Sequence, residues 1–82
     1  MDYRLTEHAR DALEKRRIPL EWMERALTAP EWVEQDAVDP TLEHRIAHIA
    51  EFGGRAIRVI VNCRVSPLRI VTVYFDRRAR DR

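Results

Sequence analysis

Three side chains in this 82-residue chain have the chemistry needed to cleave RNA without a metal ion. Such cleavage needs a general base for the 2′-hydroxyl proton, a cation for the charged phosphorane and an acid for the leaving oxygen. His8, Arg58 and Tyr74 are the candidates for these roles in that order, and Tyr74 could instead stack on a nucleobase. Structural roles compete with this hypothesis, because a histidine at a helix start often anchors the helix and Tyr74 also fits a half-buried strand position.

Arginine dominates the basic residues and supplies the candidate phosphate contacts. Fourteen of the 15 basic side chains are arginine, whose planar guanidinium suits phosphate and carboxylate. We expect three of them to project with an asparagine from the open face of a sheet, and Arg16 to be a further contact. The predicted nucleic-acid-binding residues are Arg16, Arg45, Arg58, Asn62 and Arg64. Charge pairing with Glu43 and Glu51 on that face would explain the same residues without a ligand.

Other residue types give weaker indications. Trp22 falls off the apolar stripe of its helix and is the predicted partner-binding residue, unless it folds over the edge of a small core. His44 and His48 would lie about 13 Å apart on one strand, too far for one ion, so no metal site is predicted. Cys63 is the only cysteine, which excludes an internal disulfide, and its expected direction places it in an inert core. No cofactor is predicted.

The first 30 residues predict a helical hairpin. Tyr3 to Leu5 is a short extended stretch, and Thr6 then has the character of an N-cap. A first helix should run to about Arg17 on a narrow apolar stripe. Pro19 disfavours helix at Ile18 and begins a second helix, which ends before Pro30.

Short strands follow the helices. Residues 32–36 form a short strand in this interpretation, and residues 68–75 form a last one rich in β-branched and aromatic residues. Thr41 to Phe52 fits either a helix or a strand, and Gly53-Gly54 favours a strand that turns back in a two-residue loop. Phe52 is then opposite Arg55. This register puts Arg45 on the open face and places four residues under the helices: His44, Ile46, His48 and Ala50. A three-residue last loop would add Val71 and Val73 to the apolar face and set Tyr74 beside Arg58.

Composition indicates one small ordered domain. Hydrophobic residues make up 45% and charged residues 35%, and the net charge of +1 divides into −4 over residues 1–41 and +5 over residues 42–82. We expect a single domain over residues 1–82, folded over about 3–75 with a basic tail at 76–82. No membrane span or signal peptide is apparent, so a cytoplasmic location is expected.

Several short motifs resemble one family when their order is considered. They are Thr6-Glu7-His8-Ala9, Arg16-x-Ile18, Ala29-Pro30-Glu31 and Ile70-Val71-Thr72-Val73-Tyr74. Over residues 3 to 75 the chain resembles the family called domain of unknown function 4258, which is similar in layout to the RelE/ParE toxins. The family often has arginine at the position of Ala12 and glycine at that of Arg17.

The resemblance implies an α+β fold with an N-terminal helical hairpin on one face of an antiparallel sheet of about four strands. It also implies a toxin-type ribonuclease or RNA-binding domain, with an antitoxin and RNA or the ribosome as partners. The alternative is a noncatalytic protein-protein interaction domain that uses Trp22 and the helical hairpin.

Overall fold

The computed structural model describes residues 2–78 as two helices packed on one five-stranded sheet. The elements are β1 (Tyr3–Leu5), α1 (Glu7–Lys15), α2 (Leu20–Thr28), β2 (Trp32–Gln35), β3 (Leu42–Ile49), β4 (Arg55–Asn62) and β5 (Leu68–Phe75). The strand order is β1-β5-β4-β3-β2. Among these described residues, no helix is long and apolar enough to cross a membrane.

The sheet is mixed, which corrects the expected antiparallel sheet of about four strands. β2, β3, β4 and β5 are antiparallel neighbours, but β1 pairs in parallel with β5, with Arg4 opposite Arg69. The sequence showed β1 only as an extended stretch of three residues, and its partner lies more than 60 residues along the chain. The α+β class and the helical hairpin are confirmed.

Both ends of α1 are held by capping hydrogen bonds. The Thr6 hydroxyl accepts the backbone N–H of Ala9 at 3.0 Å, as its N-cap character predicted. At the other end, the N–H of Arg17 donates to Glu14 O and that of Ile18 donates to Leu13 O. This pattern is a Schellman motif, and it requires a left-handed residue, here Arg17 with φ 52°.

The core lies between the helices and one face of the sheet. Met23 and Leu27 of α2 are buried against Ile57 and Val59 of β4 and Ile49 of β3. Burial of a large aliphatic side chain contributes about 1.5–3 kcal/mol, so this layer holds the helices in place. Ile57, Val59 and Val61 of β4 point into the core, as the sequence predicted.

The β3–β4 hairpin has a longer loop than predicted. A 3-10 turn, Ala50–Phe52, precedes Gly53 and Gly54, whose φ angles are 66° and 72°. Ile49 is therefore opposite Arg55, where Phe52 was expected. The register differs by three residues, and because an odd shift reverses the facing of one strand, the two faces of β3 are exchanged relative to the prediction.

The last strand follows the preferred register from Thr72 onward, but a β-bulge shifts its first part, so Ile70 and not the predicted Val71 is buried in the core. The last loop, residues 63–67, has five residues where three were expected. Tyr74 is opposite Arg58 and Thr72 is opposite Ile60, while the pairing shifts between Ile60 and Val61. The expected basic tail begins with Asp76, which is held in place: its N–H donates to Ala56 O at 2.9 Å. Residues 79–82 of that tail lie outside the described residues.

Candidate functional site

The sheet face opposite the helices, the helix-free face, carries most of the candidate chemistry. Strand pairing arranges its side chains in rows that run across the sheet, and three of these rows contain the candidate residues. The rows are Tyr74, Arg58, Ile46 and Trp32; Thr72, Ile60, His44 and Glu34; and Arg4, Arg69, Asn62 and Leu42. Two features stand out in this array: a polar network around Arg58, and a pair of arginines at the β1–β5 edge.

Arg58 is the centre of that network. Its Nε donates to Asp76 Oδ2 at 2.7 Å, and its NH1 donates to Glu34 Oε1 at 3.0 Å and to His44 Nδ1 at 2.8 Å. His44 Nε2 is 2.7 Å from Asp36 Oδ1. We name these five residues the Arg58 network. Only 11% of the Arg58 side chain is exposed, so the guanidinium is largely enclosed by its partners.

The hydrogen bonds assign the state of His44. Because Arg58 can only donate, Nδ1 of His44 must accept, and Nε2–H then donates to Asp36. His44 is thus neutral in this arrangement. The guanidinium of Arg58 is already bonded to Asp76 and Glu34, and Asp36 adds a third carboxylate, which makes the Arg58 network a poor place for a phosphate.

The pKa values of the network follow from these contacts. Burial lowers the pKa of Arg58, but the hydrogen bonds and charges of Glu34 and Asp76 outweigh burial and raise it above its ordinary value. The pKa of Asp36 is lowered to about 2, first by the backbone N–H of Asp39 and then by the side chain of His44. Both groups are therefore charged at neutral pH.

The opposite edge of the helix-free face is basic. Arg4 and Arg69 are direct partners in the parallel β1–β5 pair, both are exposed, and Asn62 is the next residue in their row. Within residues 2–78 neither guanidinium has a hydrogen bond or an ion pair. We call Arg4 and Arg69 the arginine pair. Arg64 follows β4 nearby, is exposed, and donates its backbone N–H to Asn62 Oδ1 at 3.0 Å.

A shallow groove of about 530 Å³ lies beside the arginine pair. Its lining includes Arg4 from β1 and Cys63, Ser66 and Pro67 from the β4–β5 loop. Cys63 is exposed in this loop, so its predicted burial in the core is wrong. The strand ends at Asn62, so Cys63 lies in the loop and does not occupy the inward-facing strand position that was predicted.

The predicted catalytic residues do not come together. Arg58 and Tyr74 are opposite each other on the helix-free face, as expected. His8 is exposed on α1, which packs against the other face of the sheet. The sheet therefore separates His8 from the other two, and the histidine next to Arg58 is His44. The sequence prediction missed His44, because the wrong β3–β4 register assigned this residue to the face under the helices.

The predicted phosphate-binding arginines are also separated. Arg45 lies on the helix side, where its NH1 donates to Leu27 O at 2.9 Å and its Nε donates to Glu43 Oε2 at 2.8 Å. Arg58 lies on the other side, so the expected arginine face is wrong. Arg16 is exposed at the end of α1 in the helical layer. Arg64 and Asn62 stay at the end of the helix-free face near the arginine pair.

Trp22 packs at the edge of the core. Its ring centroid is 5.5 Å from that of Phe52 and 6.3 Å from that of Phe75, and Arg55 lies over the Phe52 ring at 4.9 Å. The side chain is half-buried. Trp22 therefore folds over the edge of the core, which was the alternative to a partner-binding role.

Sequence reasoning missed the arginine pair, although a signal for it was present. Arg4 stands between Tyr3 and Leu5, and Arg69 stands between Leu68 and Ile70. Each arginine thus alternates with apolar neighbours, the pattern of a strand residue on the face away from the core. The parallel pairing that joins them has no comparable local signal. Among residues 2–78, no three His, Cys, Asp or Glu side chains are placed to hold a metal ion.

Comparison with known proteins gives one match. No curated protein and no solved structure matches the chain. The resemblance to the RelE/ParE layout therefore stays a prediction. A family model described as domain of unknown function matches residues 5–75, nearly the full length of the described chain. The chain belongs to this family, DUF4258.

Proposed function

We propose that this domain binds RNA, and that the arginine pair, Arg4 and Arg69, contacts its phosphates. The observation that carries the proposal is their placement as adjacent, exposed cross-strand partners without an ionic partner in residues 2–78. Like charges opposite each other on neighbouring strands are destabilising. A phosphate between them would remove this repulsion, and guanidinium groups bind phosphate through paired, charge-assisted hydrogen bonds.

The charge distribution of the helix-free face supports a defined path for the RNA backbone. The β1–β5 edge has the arginine pair, with Asn62 beside it as an uncharged hydrogen-bonding group. The β2–β3 side has the carboxylate of Asp36, whose side-chain partner His44 is neutral. An RNA backbone is attracted to the first and repelled by the second, so it would follow the β1–β5 edge.

The toxin part of the proposal rests on the resemblance of the helical hairpin and sheet to the RelE/ParE layout, and an antitoxin would be the partner. Induced expression in bacteria should then slow growth. Normal growth while folded protein accumulates would contradict the toxin part and leave RNA binding to be tested by itself. Protein binding through Trp22 has less support, because its ring packs on Phe52 and Phe75.

RNA binding is tested with two pairs of variants that change the net charge equally. Arg4→Gln/Arg69→Gln removes the arginine pair, and Arg10→Gln/Lys15→Gln removes two exposed cations of the helical layer. The affinity for an RNA oligonucleotide is measured from 50 to 200 mM salt. The first pair should weaken binding and reduce the salt slope by about 1.4, since each phosphate contact on a single strand contributes about 0.7.

The control pair should leave the affinity and the slope nearly unchanged. Equal weakening by both pairs would show attraction by net charge alone and contradict the proposed surface. Affinity unchanged in Arg4→Gln/Arg69→Gln would contradict it directly.

A further inference from the structure

We propose that the RNA bound by this domain is single-stranded, and that one of its bases lies on the ring of Tyr74. This inference rests on the proposed RNA binding and adds the substrate class and the place of the base. It follows from the arrangement of three features on the helix-free face: the arginine pair, Tyr74 and the Arg58 network.

The arginine pair and Tyr74 lie on one continuous surface. Arg69 and Tyr74 belong to the same strand, β5, and their registers with Asn62 and Arg58 place both on the helix-free face. Five residues of strand separate them by about 16 Å. Thr72 lies between them with no charge, so a nucleic-acid strand can follow β5 from the arginine pair to Tyr74, which is itself opposite Arg58.

Tyr74 has the properties of a stacking residue. It is half-buried, and its hydroxyl has no hydrogen-bond partner within residues 2–78. Tyr3 differs: its hydroxyl donates to Glu24 Oε2 at 2.6 Å, and burial followed by this contact raises its pKa to about 12. Tyrosine rings on an open sheet can stack on unpaired bases, whereas bases in a duplex are stacked on each other and do not reach a flat surface.

The Arg58 network disfavours a duplex. A duplex has two phosphate backbones, and when one of them follows the β1–β5 edge the other lies toward β3 and β2. There it would meet the carboxylate of Asp36, which is charged at neutral pH and whose side-chain partner His44 is neutral. A single strand avoids this repulsion because its only backbone stays on the basic edge.

The test compares three probes at equal total phosphate concentration: a twenty-nucleotide single-stranded RNA, a twenty-base-pair duplex RNA, and inorganic polyphosphate. The wild-type protein should bind the single strand more tightly than the duplex. Tyr74→Ala should weaken single-strand binding by about 5- to 150-fold, the range found for one base stacked on an aromatic ring. Tyr74→Phe should retain the affinity, since the ring remains. Polyphosphate has no bases, so Tyr74→Ala should not change its binding.

A further variant separates stacking from folding. Tyr74→Leu keeps an apolar side chain in the sheet but has no aromatic face, and thermal unfolding of each variant checks that it is folded. A folded Tyr74→Leu that binds the single strand as tightly as the wild type would overturn the inference, and so would equal affinity for the duplex. If Arg4→Gln/Arg69→Gln weakens both RNA and polyphosphate binding in that case, the proposed function stands and only the single-strand inference fails. If those arginine variants have no effect, the proposed function itself fails.

Discussion

Arg58 shows how a single side chain organises the sheet face that no helix covers. Its guanidinium joins Asp76, Glu34 and His44, which come from three different parts of the chain. Taking charges out of water is costly, and the hydrogen bonds of the network offset that cost only while every member is present. The guanidinium of Arg58 is consequently occupied by its partners, whereas the arginine pair on the same face is exposed.

Arg58→Ala should therefore destabilise the protein by roughly 3 kcal/mol, because the enclosed carboxylates lose their counter-charge. Urea unfolding followed by circular dichroism measures this change. Arg10→Ala removes an exposed arginine of α1 and is the matched control, with an expected effect within about 0.5 kcal/mol. Similar unfolding midpoints for the two variants would show that the network contributes little.

Protonation of Asp36 should make the stability of the folded protein fall at acidic pH. The pKa of Asp36 falls from an ordinary 3.8 to about 2 in the folded protein, so its stabilisation is complete above pH about 4 and is lost as the pH falls through about 2. The melting temperature should drop over this interval, and Asp36→Asn should drop less because it has no carboxyl group to protonate. Melting curves that fall in parallel for the two proteins would contradict this assignment.

At the scale of the elements, the end of α1 contains a residue in an unfavourable conformation. Arg17 is at φ 52° in the Schellman motif, a position where glycine is the usual residue. A left-handed conformation costs an ordinary L-residue roughly 1–2 kcal/mol, and the greater entropy of glycine in the unfolded chain offsets part of this. Arg17→Gly should raise the unfolding free energy by up to about 1 kcal/mol. Arg16→Gly, one residue earlier at φ −90°, should lower it.

The helices were predictable from the sequence because their signals are local. The Thr6 cap, the apolar stripes and Pro19 lie within or next to the helices they define.

The β3–β4 register was not predictable in this way. Gly53-Gly54 is typical of a two-residue loop, but the Phe52 ring lies 4.9 Å from that of Phe75, a contact with a distant strand that favours the longer turn. The last register was predicted correctly only from Thr72 onward. The sequence therefore predicted that Tyr74 lies beside Arg58, but it did not predict that His44 does.

At the scale of the molecule, the sheet keeps the predicted catalytic residues apart. His8 is on the helical side, and Arg58 and Tyr74 are on the helix-free face. RNA incubated with the purified protein should consequently be bound and remain intact, and His8→Ala should bind it as the wild type does. Gel analysis of labelled RNA measures both outcomes. Cleavage lost on His8→Ala would require a different arrangement of the site.

The parallel pairing of β1 with β5 also determines when the arginine pair can assemble during synthesis. Arg4 leaves the ribosome well before its neighbour Arg69, which belongs to β5. Translation at about 5–20 residues per second leaves β1 without its partner for several seconds. The nascent polypeptide therefore lacks the arginine pair until β5 has emerged.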